Sequence, residues 1–281
     1  ASIYYAEISD YALSLGIPKE KIIYNNSLEI LIKYDGKLSK DILYELYSVP
    51  YWYHSYEILP GIKTPGLCEY KPKLLDQPEI QNLTGKRTLD IGAWDGAYTL
   101  EMAKRGAEVN ALDIQPPHCT GFNTMCNLNK FAPEYHWTSV YNLNPEDHGT
   151  YDFVTFFGVY YHLKNPLIAL ERINSVLKMN GMVCVEGAIL EGAPYVDNNW
   201  SEEVQFIDKI STKSMACYIK NEYEGEWSNW WVPTLKCLKH WIQSCGFEIL
   251  RSFTIEGKRR GVVLAKKINC SQREHIILPT I

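Results

Sequence analysis

Between residues 86 and 188 strand-length apolar runs alternate with helical stretches, and this alternation restricts the fold more than any other feature. Residues 86–92 read as a buried strand entering a glycine turn, 97–105 as a helix, and 108–114 as a strand that carries Asp113 near its end. A helix over 121–130, strands over 136–141 and 151–157, a helix over 166–177 opened by Pro166, and a strand over 181–188 continue the pattern. After an interruption, 234–244 has helical spacing up to Gly246, a favourable residue just past a helix end. Strands over 247–254 and 261–266 follow, joined through Glu256-Gly257-Lys258. Such alternation implies a mostly parallel sheet with helices on both faces. The expected fold is α/β and Rossmann-like, with seven strands.

The flanks are less regular. Residues 1–45 read as two or three short helices, with an amphipathic stretch at 9–15 that Gly16-Ile17-Pro18 breaks. Helical spacing resumes at 39–47, with Ile42, Leu43 and Leu46 on one face. Residues 49–72 dissolve into proline and glycine turns. Residues 191–231 are polar, aromatic and too long for a simple connection. The expected organisation is an N-terminal helical and aromatic extension over 1–75, then a domain over 76–281 with an inserted cap at about 191–231.

The 281 residues carry a formal net charge of −5, which argues against a large polyanionic partner without forbidding a local basic patch. No run approaches the ~20 apolar residues of a bilayer span. Glu7 and Asp10 stand where a secretory signal needs basic then apolar residues, so a cytoplasmic protein without a membrane partner is expected. None of the eight cysteines forms a C-x-x-C pair and the seven histidines do not cluster, so no metal is expected. Cys184 and Cys245, among apolar neighbours, read as small core residues. Oligomeric state is not legible. Aromatic residues stand out, with 20 Tyr, 8 Trp and 8 Phe, many of them in 47–57 and 223–231.

The string Leu89-Asp90-Ile91-Gly92-Ala93-Trp94-Asp95-Gly96 ends the first parallel strand. Glycines 92 and 96 let the backbone turn sharply and approach a ligand. A pyrophosphate turn would repeat glycine as G-x-G-x-x-G. Here a bulky Trp stands at 94, and an acid at 90 suits a cationic ligand better. Asp113 lies 21 residues after Gly92. A carboxylate there accepts from both hydroxyls of a ribose, although a strand-end Asp also serves as a local cap.

These residues resemble those of class I S-adenosylmethionine-dependent methyltransferases, over the block from 86 to 189. Asp90 to Gly96 is similar to their first motif, Asp113 to the ribose-binding acid, and Tyr151-Asp152-Phe153-Val154 to the strand after the adenine site. Residues 157–162 with Asn165-Pro166, 230–233 and 260–266 resemble the branch of tRNA wobble-uridine 5-oxyacetate methyltransferases and their single-domain relatives. The resemblance implies S-adenosyl-L-methionine as cofactor, held by Asp90, Gly92, Ala93, Trp94, Gly96, Asp113, Ile114, Asn142 and Phe157. In that branch the enzymes using a carboxymethylated donor hold its extra carboxylate with a Lys, a Tyr and an Arg. Tyr161 and Arg260 match the last two, but the Lys would fall near His54. Without that cation a charge-assisted contact is lost, so ordinary S-adenosylmethionine and transfer of a methyl group are expected.

A hydroxyl acceptor needs a base to take its proton. His162, just beyond the fourth strand, is the first candidate, although it could instead cap the helix at Pro166 or bond a carbonyl. His54 is its rival and Glu186 a third, which could also be paired structurally. Trp52, Tyr53, Tyr161, Tyr223, Trp231 and Arg260 are the expected acceptor-binding residues, since aromatic faces accept a sugar, a planar ring or an unstacked base. The aromatic clusters could equally pack as a hydrophobic lid. The expected activity is O-methylation of a small molecule or glycan precursor. A tRNA-modifying methyl or carboxymethyl transferase and a non-catalytic cofactor-binding domain are the alternatives.

Overall fold

Ile22–Tyr24 (β1), Ile30–Tyr34 (β2) and Lys37–Ser39 (β3) form a three-stranded antiparallel sheet where helical spacing predicts helices. The isoleucine-rich strings fit a pleated surface, and Asp35-Gly36, a frequent hairpin pair, separates β2 from β3 in the sequence. The structure is a computed structural model that describes residues 13, 22–24, 30–34, 37–39, 41–192, 211–219, 228–257 and 259–269. The amphipathic stretch 9–15 thus lies, apart from residue 13, outside the described residues, as does most of the cap. The helix expected at 39–47 is present as Asp41–Tyr47 (α1).

Four short strands follow, His54–Ser55 (β4), Glu57–Leu59 (β5), Ile62–Lys63 (β6) and Cys68–Glu69 (β7). Strand β4 pairs with β7, and β5 with β6. The alternating region then runs Arg87–Ile91 (β8), Ala97–Lys104 (α2), Glu108–Asp113 (β9), Phe122–Asn129 (α3) and Glu134–Trp137 (β10). It continues with Pro145–His148 (α4), Tyr151–Phe157 (β11), Pro166–Val176 (α5) and Leu177–Ala188 (β12). Ala216–Tyr218 (β13) pairs with Trp231–Pro233 (β14). Leu235–Ser244 (α6), Phe247–Ile255 (β15) and Arg260–Lys267 (β16) close the described chain. The third expected strand is displaced, since β10 stops at Trp137 and Val140–Asn142 is a 3-10 turn.

A seven-stranded sheet has the order β10-β9-β8-β11-β12-β16-β15. Strands β10 and β9, β8 and β11, and β11 and β12 pair in parallel, and β16 runs antiparallel to both of its neighbours. The last four residues of β8 and six of seven in β11 are buried, as expected for strands covered on both faces. Strand order reverses at the β8–β11 pair, the place where sheets of this kind bind ligands beyond the carboxyl ends of the strands.

The chain separates into two compact units, residues 1–84 with 93–138, and residues 85–92 with 139–281. The first has a core of Leu46, Trp52, Tyr56, Ile58 and Ile62 from the N-terminal segment with Leu100, Phe122 and Met125 from α2 and α3. The second is built on β8, β11, β12 and β16, with α5 and α6 contributing Leu170, Ile173, Leu238 and Ile242, all at most 1% exposed. Its Cys184 and Cys245 are buried core residues, as expected. Among the described residues no helix is long and apolar enough to cross a membrane.

Candidate active site

The unit built on β8 and β11 carries one set of candidate residues. Asp90, near the end of β8, is buried, and its Oδ1 accepts the Thr155 hydroxyl of β11 at 2.7 Å. Gly92 follows at φ +79°, and a Cβ there would lie 2.4 Å from Val159 Cγ2 and 3.7 Å from the Phe157 carbonyl oxygen. No side chain fits where the β8 turn passes the end of β11. Phe157 closes β11 and is 8% exposed. Asn142 ends the 3-10 turn at 140–142 and is exposed.

Beyond β11, Tyr160–His162 forms a 3-10 turn. Arg260 makes a two-point ion pair with Glu186, through Nε to Oε1 and through Nη2 to Oε2 at 2.9 Å. The Tyr161 hydroxyl lies 3.5 Å from Arg260 Nη1 and Nη2. Burial opposes the charge on Arg260, but Glu186 beside it holds the guanidinium well above its ordinary pKa. Glu186 therefore has both oxygens committed to a cation, which corrects the expectation that it serves as a base. His162 Nδ1 lies 2.9 Å from the Ser228 hydroxyl, and its ring packs 4.3 Å from that of Tyr161. Trp231 Nε1 donates to the Lys164 carbonyl, so its polar edge is already engaged. Tyr223 lies outside the described residues.

The other unit carries the rest. Asp113, at the end of β9, accepts N–H groups from Trp94 at 2.9 Å and Gln115 at 2.8 Å. Burial raises its carboxyl above the usual aspartate range, while the N–H groups of Gln115, Trp94 and Ile114 pull the other way. A carboxylate offers about four acceptor sites, so room is left for the hydroxyls of a ribose. Ile114 is 66% exposed, and its carbonyl accepts the Trp137 indole N–H. Ala93 is buried and its N–H donates to the Leu112 carbonyl. Trp94 holds φ 45°, a left-handed conformation that costs a non-glycine residue about 1 to 3 kcal/mol. Its buried Nε1 has no partner among the described residues, as a donor suited to a ligand acceptor would. Gly96, at φ 80°, is the N-cap of α2.

Asp95 was not expected in the site. Its carboxylate is fully buried and accepts N–H from Tyr53 at 3.1 Å and His54 at 2.7 Å, with His54 Nδ1 2.7 Å from its other oxygen. Its carbonyl accepts the Tyr56 hydroxyl. An acid inside a glycine turn, with no cation nearby in the sequence, was the available signal. Tyr53 is 39% exposed, with its ring 6.2 Å from Trp94. Trp52 departs from its expected acceptor-binding role, because it is 4% exposed in the core and its indole donates to the Leu46 carbonyl.

The residues present fit an adenosyl sulfonium cofactor. Within one unit, Gly96, where a Cβ would meet Met125, the buried acid Asp113 with spare acceptor sites, and the Trp94 indole N–H, which finds no acceptor among the described residues, carry the fit. A family defined by a methyltransferase domain matches residues 65–252. The chain is 24% identical over 188 residues to a tRNA U34 carboxymethyltransferase of Desulforapulum autotrophicum, covering 64% of this chain and 51% of that one. The protein of the same name in Syntrophotalea carbinolica is 26% identical over 177 residues, covering 62% and 48%. The chain thus spans about half the length of the curated relatives it matches. Among solved structures, an S-adenosylmethionine-dependent methyltransferase from Mesorhizobium loti is similar in fold, with a TM-score of 0.52, 11% identity and coverage of 70% and 96%. Another from Clostridium acetobutylicum gives 0.51 at 12% identity, covering 70% and 92%. The chain belongs to the family defined by a methyltransferase domain.

Proposed function

We propose that this enzyme transfers a methyl group from S-adenosyl-L-methionine to a hydroxyl of a small molecule or glycan precursor. The observation that carries the donor half is Asp113, a buried acid wired by the Trp94 N–H to the glycine turn. The bound donor supplies a methyl group on a positively charged sulfur. Asp113 holds the ribose, Ile114 offers an apolar side chain beside the base, and Asp90 provides negative charge for the amine of the methionyl part. Gly92 lets the backbone approach closely. Displacement at a methyl group depends largely on alignment and exclusion of water. Tyr53 and Trp94, with ring centroids 6.2 Å apart, supply aromatic faces for the acceptor.

Ordinary S-adenosylmethionine suits these residues better than a carboxylated form. Arg260 is neutralised by Glu186, and His54 stands where a cation would be needed and is itself held by an acid. Neither brings an uncompensated positive charge to an extra carboxylate. The second reading is a tRNA wobble-uridine methyl or carboxymethyl transferase. The names of the curated relatives favour it, while the net charge of −5 weighs against it.

Mass spectrometry of the nucleoside that co-purifies, followed by calorimetric titration with both donors, tests the reading. S-adenosylmethionine or its demethylated product should co-purify, and the carboxylated donor should bind more weakly. Tighter binding of the carboxylated form would favour the tRNA reading.

A further inference from the structure

We propose that His54 and Asp95 form a catalytic dyad in which His54 Nε2 takes the proton of the acceptor hydroxyl and Asp95 positions the ring. The proposal rests on the reading of this chain as a methyltransferase acting on a hydroxyl.

The geometry fixes the imidazole from several sides. Asp95 Oδ1 lies 2.7 Å from His54 Nδ1, and Oδ2 accepts the His54 and Tyr53 main-chain N–H groups. A carboxylate only accepts, so Nδ1 carries a proton, and in the neutral ring Nε2 is the atom that holds the lone pair. The His54 carbonyl accepts the Thr64 hydroxyl at 2.5 Å, and β4 pairs with β7 through His54 and Cys68. A Cβ on Gly66 would fall 2.2 Å from the His54 carbonyl carbon, so only glycine lets the backbones pass this closely. The ring stands edge-on to Tyr53 at 4.8 Å and to Tyr98 at 5.6 Å. The side chain is 14% exposed, and no described residue bonds Nε2.

Two main-chain N–H bonds to Asp95 would suffice to anchor this segment, so the third bond, to the ring, points to chemistry. A buried carboxylate on Nδ1 sets the tautomer and stabilises the imidazolium that forms when Nε2 gains a proton. His162 Nδ1 meets the Ser228 hydroxyl rather than a carboxylate. Asp95 is also the residue after Trp94, whose N–H donates to Asp113. One short turn therefore supports both the nucleoside-binding acid and the histidine. In the reaction the acceptor oxygen bonds the methyl carbon, the carbon–sulfur bond breaks with its electron pair going to sulfur, and the hydroxyl proton passes to Nε2. Tyr51 and Tyr53, 46% and 39% exposed, place aromatic faces beside Trp94, so an acceptor whose hydroxyl sits on a ring fits best.

The test uses the full chain and two readouts that need no acceptor. Nitrogen NMR should show His54 as the Nδ1–H tautomer, a preference lost in Asp95→Asn. Diethyl pyrocarbonate should modify His54 at Nε2, as located by peptide mass spectrometry. An Nε2–H tautomer or an unreactive His54 overturns the dyad. Turnover is then measured with tritiated-methyl S-adenosylmethionine and the small-molecule fraction of a cell extract as acceptor pool. His54→Ala should lower kcat by about 10²- to 10⁴-fold with donor Kd unchanged, and added imidazole should restore part of it. Asp95→Asn should lower kcat more than KM changes. Normal turnover in His54→Ala overturns the dyad. If the wild type labels nothing, the hydroxyl-methylation reading fails, and the tautomer and modification results still decide whether His54 is a prepared base.

Discussion

Burial raises the Asp113 carboxyl above the usual aspartate range, against the pull of the surrounding N–H groups, so its charge opposes folding while serving the ligand. A group raised in the folded state contributes most below its unfolded pKa of about 3.9, and that contribution is lost as pH rises through the folded value. The wild type should therefore gain thermal stability as pH falls through the raised Asp113 value, a slope that Asp113→Asn, which cannot ionise, should lack. The same variant should bind S-adenosylmethionine more weakly by about 1.5 to 3 kcal/mol, since a hydrogen bond to a charged group is lost. Melting curves across pH and calorimetry read the two effects separately, and unchanged affinity would remove Asp113 from the donor site. At Gly92 the constraint is steric, with φ +79° and Val159 Cγ2 2.4 Å from where a Cβ would sit. Gly92→Ala should lower stability in chemical denaturation, and Val159→Ala in that background should recover the steric part but not the about 1 to 2 kcal/mol of left-handed strain. The turn at Gly92 and Gly96 and the places of Asp90 and Asp113 near strand ends were legible in the sequence, because glycine turns and strand ends are local features. Asp95 and His54 were not joined, because 41 residues separate them and only the fold brings their side chains together.

Strands β8, β11 and β12 were legible for a related reason. Burial on both faces writes an unbroken apolar run, and the helices between them keep a separate period. Strands β1 to β3, of three to five residues, hold too few periods to separate a strand repeat from a helical one. Trp52 was misplaced because an aromatic cluster in sequence does not say which rings face inward, and this one fills the core against α1 and α3. Helix α6 shows how one side chain joins elements. Thr234 Oγ1 accepts the Cys237 N–H at 3.1 Å as an N-cap and donates to the Lys213 carbonyl at 2.7 Å. Thr234→Ala should cost about 1 kcal/mol, with Thr234→Ser recovering most of it, as read from urea midpoints. Equal loss in both variants would assign the effect to the methyl group instead.

At the scale of the whole molecule, an aromatic-rich chain carries a net charge of −5, and Arg260 is paired with Glu186. Neutralising many phosphates requires clustered cations, whereas a ring-bearing hydroxyl acceptor requires aromatic faces and a base. The two readings therefore differ in where the methyl group should appear. The most direct measurement incubates the purified full chain with deuterated-methyl S-adenosylmethionine and a cell extract, then follows the label by mass spectrometry with and without nuclease. The account predicts label on the oxygen of a small, nuclease-resistant acceptor, and its loss with His54→Ala. Label confined to nuclease-sensitive tRNA would contradict it.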